Sequence, residues 1–92
     1  MAKVRAAVVI MGEVQGVSFR YFTRRVALQQ RVCGWVRNLP GGEVEALFEG
    51  EETDVRTVLD WCRRGPDAAR VDAVRVEMRI YTGEFANFEI RR

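Results

Sequence analysis

Apolar residues crowd the start of the chain. From Val4 to Met11, the residues Val4, Ala6, Val8 and Ile10 fall on one side of an extended backbone, and Ala7, Val9 and Met11 on the other. A strand apolar on both faces belongs in the middle of a sheet. Gly12 to Ser18 breaks the run as a loop, and from about Phe19 to Gln30 the period turns helical, with Phe19, Phe22 and Val26 at spacings of three and four. Trp35 to Leu39 is extended again and ends at Pro40-Gly41-Gly42, a turn signal. From Glu43 to Glu49, Val44, Ala46 and Phe48 face one way and Glu43, Glu45, Leu47 and Glu49 the other, so residues 35–49 form a β-hairpin. Thr53 is the expected N-cap of a second helix, with Asp54 in its first turn and a buried stripe of Val55, Val58, Leu59 and Cys62. Gly65-Pro66 ends that helix near Arg64. Val74, Val76, Met78 and Ile80 then alternate with Arg75, Glu77, Arg79 and Tyr81. After a turn at residues 82–84, a short strand from Phe85 to Arg91 closes the chain.

The order is β-α-β-β-α-β with a short C-terminal strand added. It predicts an α+β, ferredoxin-like split βαβ sandwich: an antiparallel-dominated sheet with two helices on one face and its other face open to water. Phe19, Phe22, Trp35, Phe48 and Phe88 are the expected core aromatics, with Trp61 half-exposed beside the second helix's stripe. The 92 residues, 48% apolar and 30% charged, suit one domain over 1–92.

Composition narrows the chemistry. Histidine is absent, which removes Ser-His-Asp and Cys-His catalysis and imidazole metal sites. Cys33 and Cys62 lack metal-ligand spacing and are too few for a disulfide framework, so both are expected reduced. The six-residue apolar run from Ala6 to Met11 is shorter than a signal peptide's apolar region, and nothing approaches a membrane span. The expectation is a cytoplasmic protein that uses no membrane. A net charge of +2 does not argue for nucleic acid, although fourteen of the fifteen basic residues are arginine. An RNA-binding sheet of this fold would show exposed aromatics on its central strands. The alternation puts Glu43, Glu45, Glu77 and Glu89 among the exposed positions instead.

The junction between the first strand and first helix is the candidate site. A glycine-flanked loop feeding a helix N-terminus presents free N–H groups and the positive end of the helix dipole, which together bind anions. Arg20 adds a cation in the first turn, where it is unfavourable for the helix itself and so hints at an anionic ligand.

The residues around this junction also carry a resemblance. Gly12-Glu13-Val14-Gln15-Gly16-Val17-Ser18-Phe19-Arg20 resembles the first signature of the acylphosphatases, G-x-V-Q-G-V-x-F-R. Gly34-Trp35-Val36-Arg37-Asn38-Leu39-Pro40-Gly41-Gly42-Glu43-Val44 is similar to the second, G-W-V-x-N-x-x-x-G-x-V. Gly65-Pro66-x-Ala68-x-x-Val71 fits the segment after that family's second helix. The resemblance implies a metal-independent hydrolase that needs no cofactor and cleaves small acyl phosphates, carboxyl-phosphate mixed anhydrides, to carboxylate and phosphate. By this likeness, the amides of Glu13, Val14, Gln15, Gly16, Val17 and Ser18 cradle the phosphoryl group, Arg20 binds it, and Asn38 orients the attacking water. Gln15 is expected to hold the loop's shape. The partner is the acyl phosphate itself, inorganic phosphate acts as product inhibitor, and the protein is expected to be a monomer that binds no nucleic acid.

Two departures from the family pattern carry expectations. Glu13 stands where a basic residue is common, so it must point away from the loop if anions are to bind. Gln30-Arg31-Val32 replaces Leu-Gly-Leu after the first helix, which would force Arg31 into a left-handed conformation.

Overall fold

The computed structural model describes residues 2–92. In chain order the elements are β1 (Lys3–Glu13), α1 (Phe19–Gln29), β2 (Cys33–Asn38), β3 (Val44–Glu51), α2 (Glu52–Arg64), β4 (Arg70–Arg79) and β5 (Phe88–Ile90). The strands lie in the order β4-β1-β3-β2-β5. All neighbours are antiparallel except β2 and β5, which run parallel. The α+β ferredoxin-like arrangement is therefore the one expected, with β1 an inner strand between β4 and β3.

Both helices pack on one face of the sheet. The core between the layers takes Ala6, Val8 and Ile10 from β1, Val36 from β2, and Val44, Ala46 and Phe48 from β3. Phe88 stacks on Phe48 at a centroid separation of 5.6 Å. α2 buries the expected Val55, Val58, Leu59 and Cys62. Its start differs from expectation: β3 pairs with β1 as far as Glu51, and Glu51 itself takes the N-cap position. Thr53 therefore lies inside the first turn and caps nothing; its carbonyl accepts the Thr57 hydroxyl at 3.1 Å. α1 is rotated from the expected stripe, burying Phe19, Thr23 and Ala27 and leaving Phe22 and Val26 half-buried. Thr23 tolerates full burial because its hydroxyl donates to the Phe19 carbonyl at 2.8 Å.

The other face of the sheet is only partly open. β4 and β5 occupy opposite edges, so residues 80–87 must cross between them, and they do so against the outer side of β1 and β3. Glu49, 2% exposed on that face, is the anchor. Its carboxylate accepts from the Thr82 N–H at 2.9 Å, the Thr82 hydroxyl at 3.0 Å and the Gly83 N–H at 3.1 Å. Arg5 joins it at 3.2 Å and reaches Glu84 at 2.6 Å. Leu47 is buried on the same side, while Glu43 and Glu45 are half-buried rather than exposed. Trp35 is not in the core. Gly34 and Val36 take the core positions of β2, so alternation sends Trp35 to the outer face, where the Arg37 and Arg91 guanidinium groups each lie 5.1 Å from its ring.

Candidate active site

The loop between β1 and α1 is built by alternation of buried and open residues. Val14 is 1% exposed and pins the loop to the core, while Glu13, Gly16 and Ser18 face solvent. At its far end Phe19 is buried against Trp61, with ring centroids 5.3 Å apart. The backbone between these anchors turns through two left-handed residues. Gly16 has φ +74°, which suits glycine, and Ser18, the residue before α1, has φ +61°. Ser18 makes no side-chain cap, so the first turn of α1 keeps its N–H groups free. Among the described residues, no backbone carbonyl accepts from the N–H groups of residues 15–18. A row of open amides at a helix N-terminus is a concave, electropositive cradle.

Gln15 ties the cradle to the neighbouring hairpin. Its side-chain amide donates to the Leu39 carbonyl at 2.7 Å and the Glu43 carbonyl at 2.8 Å, the two ends of the β2–β3 turn. That clamp sets the loop beside Asn38, the last residue of β2. Arg20, in the first turn of α1, donates from Nη1 to the Arg91 carbonyl at 3.4 Å, just past β5. The parallel pairing of β5 with β2 is what brings the chain end there.

These pieces surround one pocket of about 420 Å3, lined by Val14, Gly16, Ser18, Arg20 and Asn38 together with Phe19, Tyr21 and Ile90. Glu13 lies outside it. Its carboxylate is exposed and pairs with Arg70 at 2.8 Å, so the departure from the usual basic residue puts no negative charge in the cradle. Gln15 and Val17 do not line the pocket either: the Gln15 side chain is spent on the β2–β3 turn, and Val17 packs partly buried against the core. Tyr21 and Ile90 were not among the expected site residues; their one signal is that they immediately follow Arg20 and precede Arg91. Arg24 points away from the pocket and donates to the Phe88 carbonyl at 3.1 Å.

Fold and pocket together define an α+β plait with an amide cradle and a single forked cation at the entrance to its first helix. The acylphosphatase family profile matches residues 6–90. An acylphosphatase of Geotalea uraniireducens is 53% identical over 88 residues, covering 96% of this chain and 97% of that protein. The crystal structure of the Bacillus subtilis acylphosphatase superposes with a TM-score of 0.93 at 29% identity, covering 97% and 99% of the two chains. An acylphosphatase of Coxiella burnetii gives a TM-score of 0.92 at 32% identity, covering 97% and 93%. The chain belongs to the acylphosphatase family.

Proposed function

We propose that this protein hydrolyses small acyl phosphates, with the amides of residues 13–18 and Arg20 holding the phosphoryl group and Asn38 orienting the attacking water. The observation that carries this reading is that the β1–α1 loop at Val14, Gly16 and Ser18, Arg20 of α1 and Asn38 of β2 line one pocket. Water attacks phosphorus, the bond from phosphorus to the acyl oxygen breaks, and the carboxylate departs with the electron pair. The water proton passes late to phosphate or solvent, because an amide is too weak a base to take it.

The chemistry suits a site without histidine. A carboxylate whose conjugate acid has a pKa of about 4 leaves without protonation. A loose phosphoryl-transfer transition state needs positioning and stabilisation of charge on the equatorial oxygens, which amides and a guanidinium supply. On that ground the reaction needs no metal or cofactor. The protein works as a cytoplasmic monomer, and inorganic phosphate competes for the cradle.

Titration of the 15N-labelled protein with inorganic phosphate tests the assignment. The amides from Glu13 to Tyr21 should shift together, with the response strongly weakened in Arg20→Ala and largely retained in Asn38→Ala. Shifts scattered elsewhere, or an Arg20→Ala response equal to the native one, would sink it. In turnover, Asn38→Ala should lose about 100-fold in kcat through misplaced water, with phosphate inhibition little changed.

A further inference from the structure

The pocket offers more room than a phosphoryl group uses. About 420 Å3 lies within the usual range of small-molecule sites, whereas a phosphoryl group and a water fill only a few times the roughly 30 Å3 that each water takes in the liquid. The remainder of the wall is apolar. Tyr21 is 58% exposed and Ile90 42%, and both border the pocket. Tyr21 follows Arg20 on α1, and Ile90 precedes Arg91, whose carbonyl receives the Arg20 guanidinium. Two elements far apart in sequence thus set one apolar side chain each beside the arginine. Neither is loose: Phe22 meets the Tyr21 ring nearly edge-on at 5.1 Å, and Ile90 is held in register with Val36 of β2.

Charge favours the same occupant. Among the described residues no carboxylate lines this pocket, and Arg20 is its one cation. With Arg20 engaged by phosphate, a charged acyl group finds no ionic partner on the wall, whereas a hydrocarbon finds the Tyr21 ring and the Ile90 side chain. In an acyl phosphate the acyl carbon is one oxygen away from phosphorus, so it must emerge from the cradle beside that wall. We infer that Tyr21 and Ile90 form the acyl-binding lip of the site and select acyl phosphates with an aromatic or branched aliphatic acyl group. This inference rests on the acyl phosphate reading above and adds the substrate's second half to it.

The test compares kcat/KM for benzoyl phosphate with that for acetyl phosphate in the native protein and in Tyr21→Ala and Ile90→Ala. The ratio for each variant is divided by the native ratio, so the intrinsic reactivity of the two anhydrides cancels. A methylene in an enclosed apolar pocket is worth about 10-fold or more; on this open lip the benzoyl preference should fall by about 3- to 10-fold in each variant. Tyr21→Phe should keep the native ratio, as should Leu28→Ala, an exposed position on the same helix outside the pocket. If both substrates turn over and the ratio stays native in Tyr21→Ala and Ile90→Ala, the lip is overturned while the acyl phosphate reading stands. Failure of the native protein to hydrolyse either compound overturns that reading, and the lip with it.

Discussion

Arg31 sits at the end of α1 with φ +58°, in the left-handed region where helix ends commonly place a glycine. The hydrogen bonds there form a complete Schellman closure: the Val32 N–H donates to the Ala27 carbonyl at 2.8 Å and the Arg31 N–H to the Leu28 carbonyl at 3.2 Å. The turn is therefore fixed, and the exposed arginine carries its steric cost. Arg31→Gly should stabilise the fold by about 1 kcal/mol, a rise in Tm of roughly 4–8 °C for a domain of this size. A lower Tm in that variant would contradict the assignment. Cys62 shows the opposite kind of constraint. Burial pushes its thiol up to about 12, so it stays protonated at neutral pH. Alkylation of the native protein should reach the half-buried Cys33 and spare Cys62, with both reacting after unfolding. Because the folded value is raised, the neutral Cys62 thiol contributes its full stability below the ordinary thiol pKa of about 8.5. That contribution declines as pH rises towards about 12, by up to roughly 1.4 kcal/mol per unit. A melting temperature flat between pH 8.5 and 10 would contradict it.

Among the elements, the strap from residue 80 to 87 is held by side chains rather than by strand pairing. Glu49 gathers two backbone N–H groups, a hydroxyl and Arg5 at one buried carboxylate. Glu49→Ala should cost about 2 kcal/mol or more and open the strap to chymotrypsin at Tyr81 and Phe85; urea unfolding with limited proteolysis checks both. Unchanged stability and an uncut strap would mean that something else holds the segment. Glu84 adds to the anchor. The hydrogen bond from Arg5 holds its carboxyl below the usual carboxylate range. Its contribution is present above that range and is lost as pH falls through the lowered value.

Periodicity alone reads much of this correctly. The strand order along the chain, the all-apolar β1, the α2 stripe and the end of α2 at Gly65 all follow from local pattern. What it misreads depends on partners distant in sequence. Glu49 looks like an exposed strand position because nothing local announces the strap that covers it. Trp35 looks like core because it is large, yet its neighbours Gly34 and Val36 claim the inward face. Thr23 looks polar, and a single bond to the turn behind it makes it a core residue. The loop and Arg20 read as a candidate anion site from glycine placement and helix polarity, whereas the reading of Asn38 comes from the family resemblance. Glycine placement and helix polarity do not single out Tyr21 and Ile90 as pocket residues, since their meeting depends on where β5 lands beside α1.

The order of the strands brings the pocket residues together. Placing β5 parallel to β2 brings the Arg91 carbonyl to Arg20, and antiparallel β2 and β3 bring Asn38 to the loop that Gln15 clamps. The site is thus a product of topology. The described chain has no helix long and apolar enough to cross a membrane.

The proposed function is hydrolysis of an acyl phosphate by an amide cradle, Arg20 and Asn38 without a metal. It is tested most directly by benzoyl phosphate turnover with a chelator present, the native protein run beside Arg20→Ala. Turnover should be rapid and unaffected by the chelator, inhibited by inorganic phosphate, and lower by about 1000-fold or more in Arg20→Ala. Turnover no faster than the spontaneous reaction, turnover abolished by the chelator, or an Arg20→Ala variant as active as the native protein would contradict it.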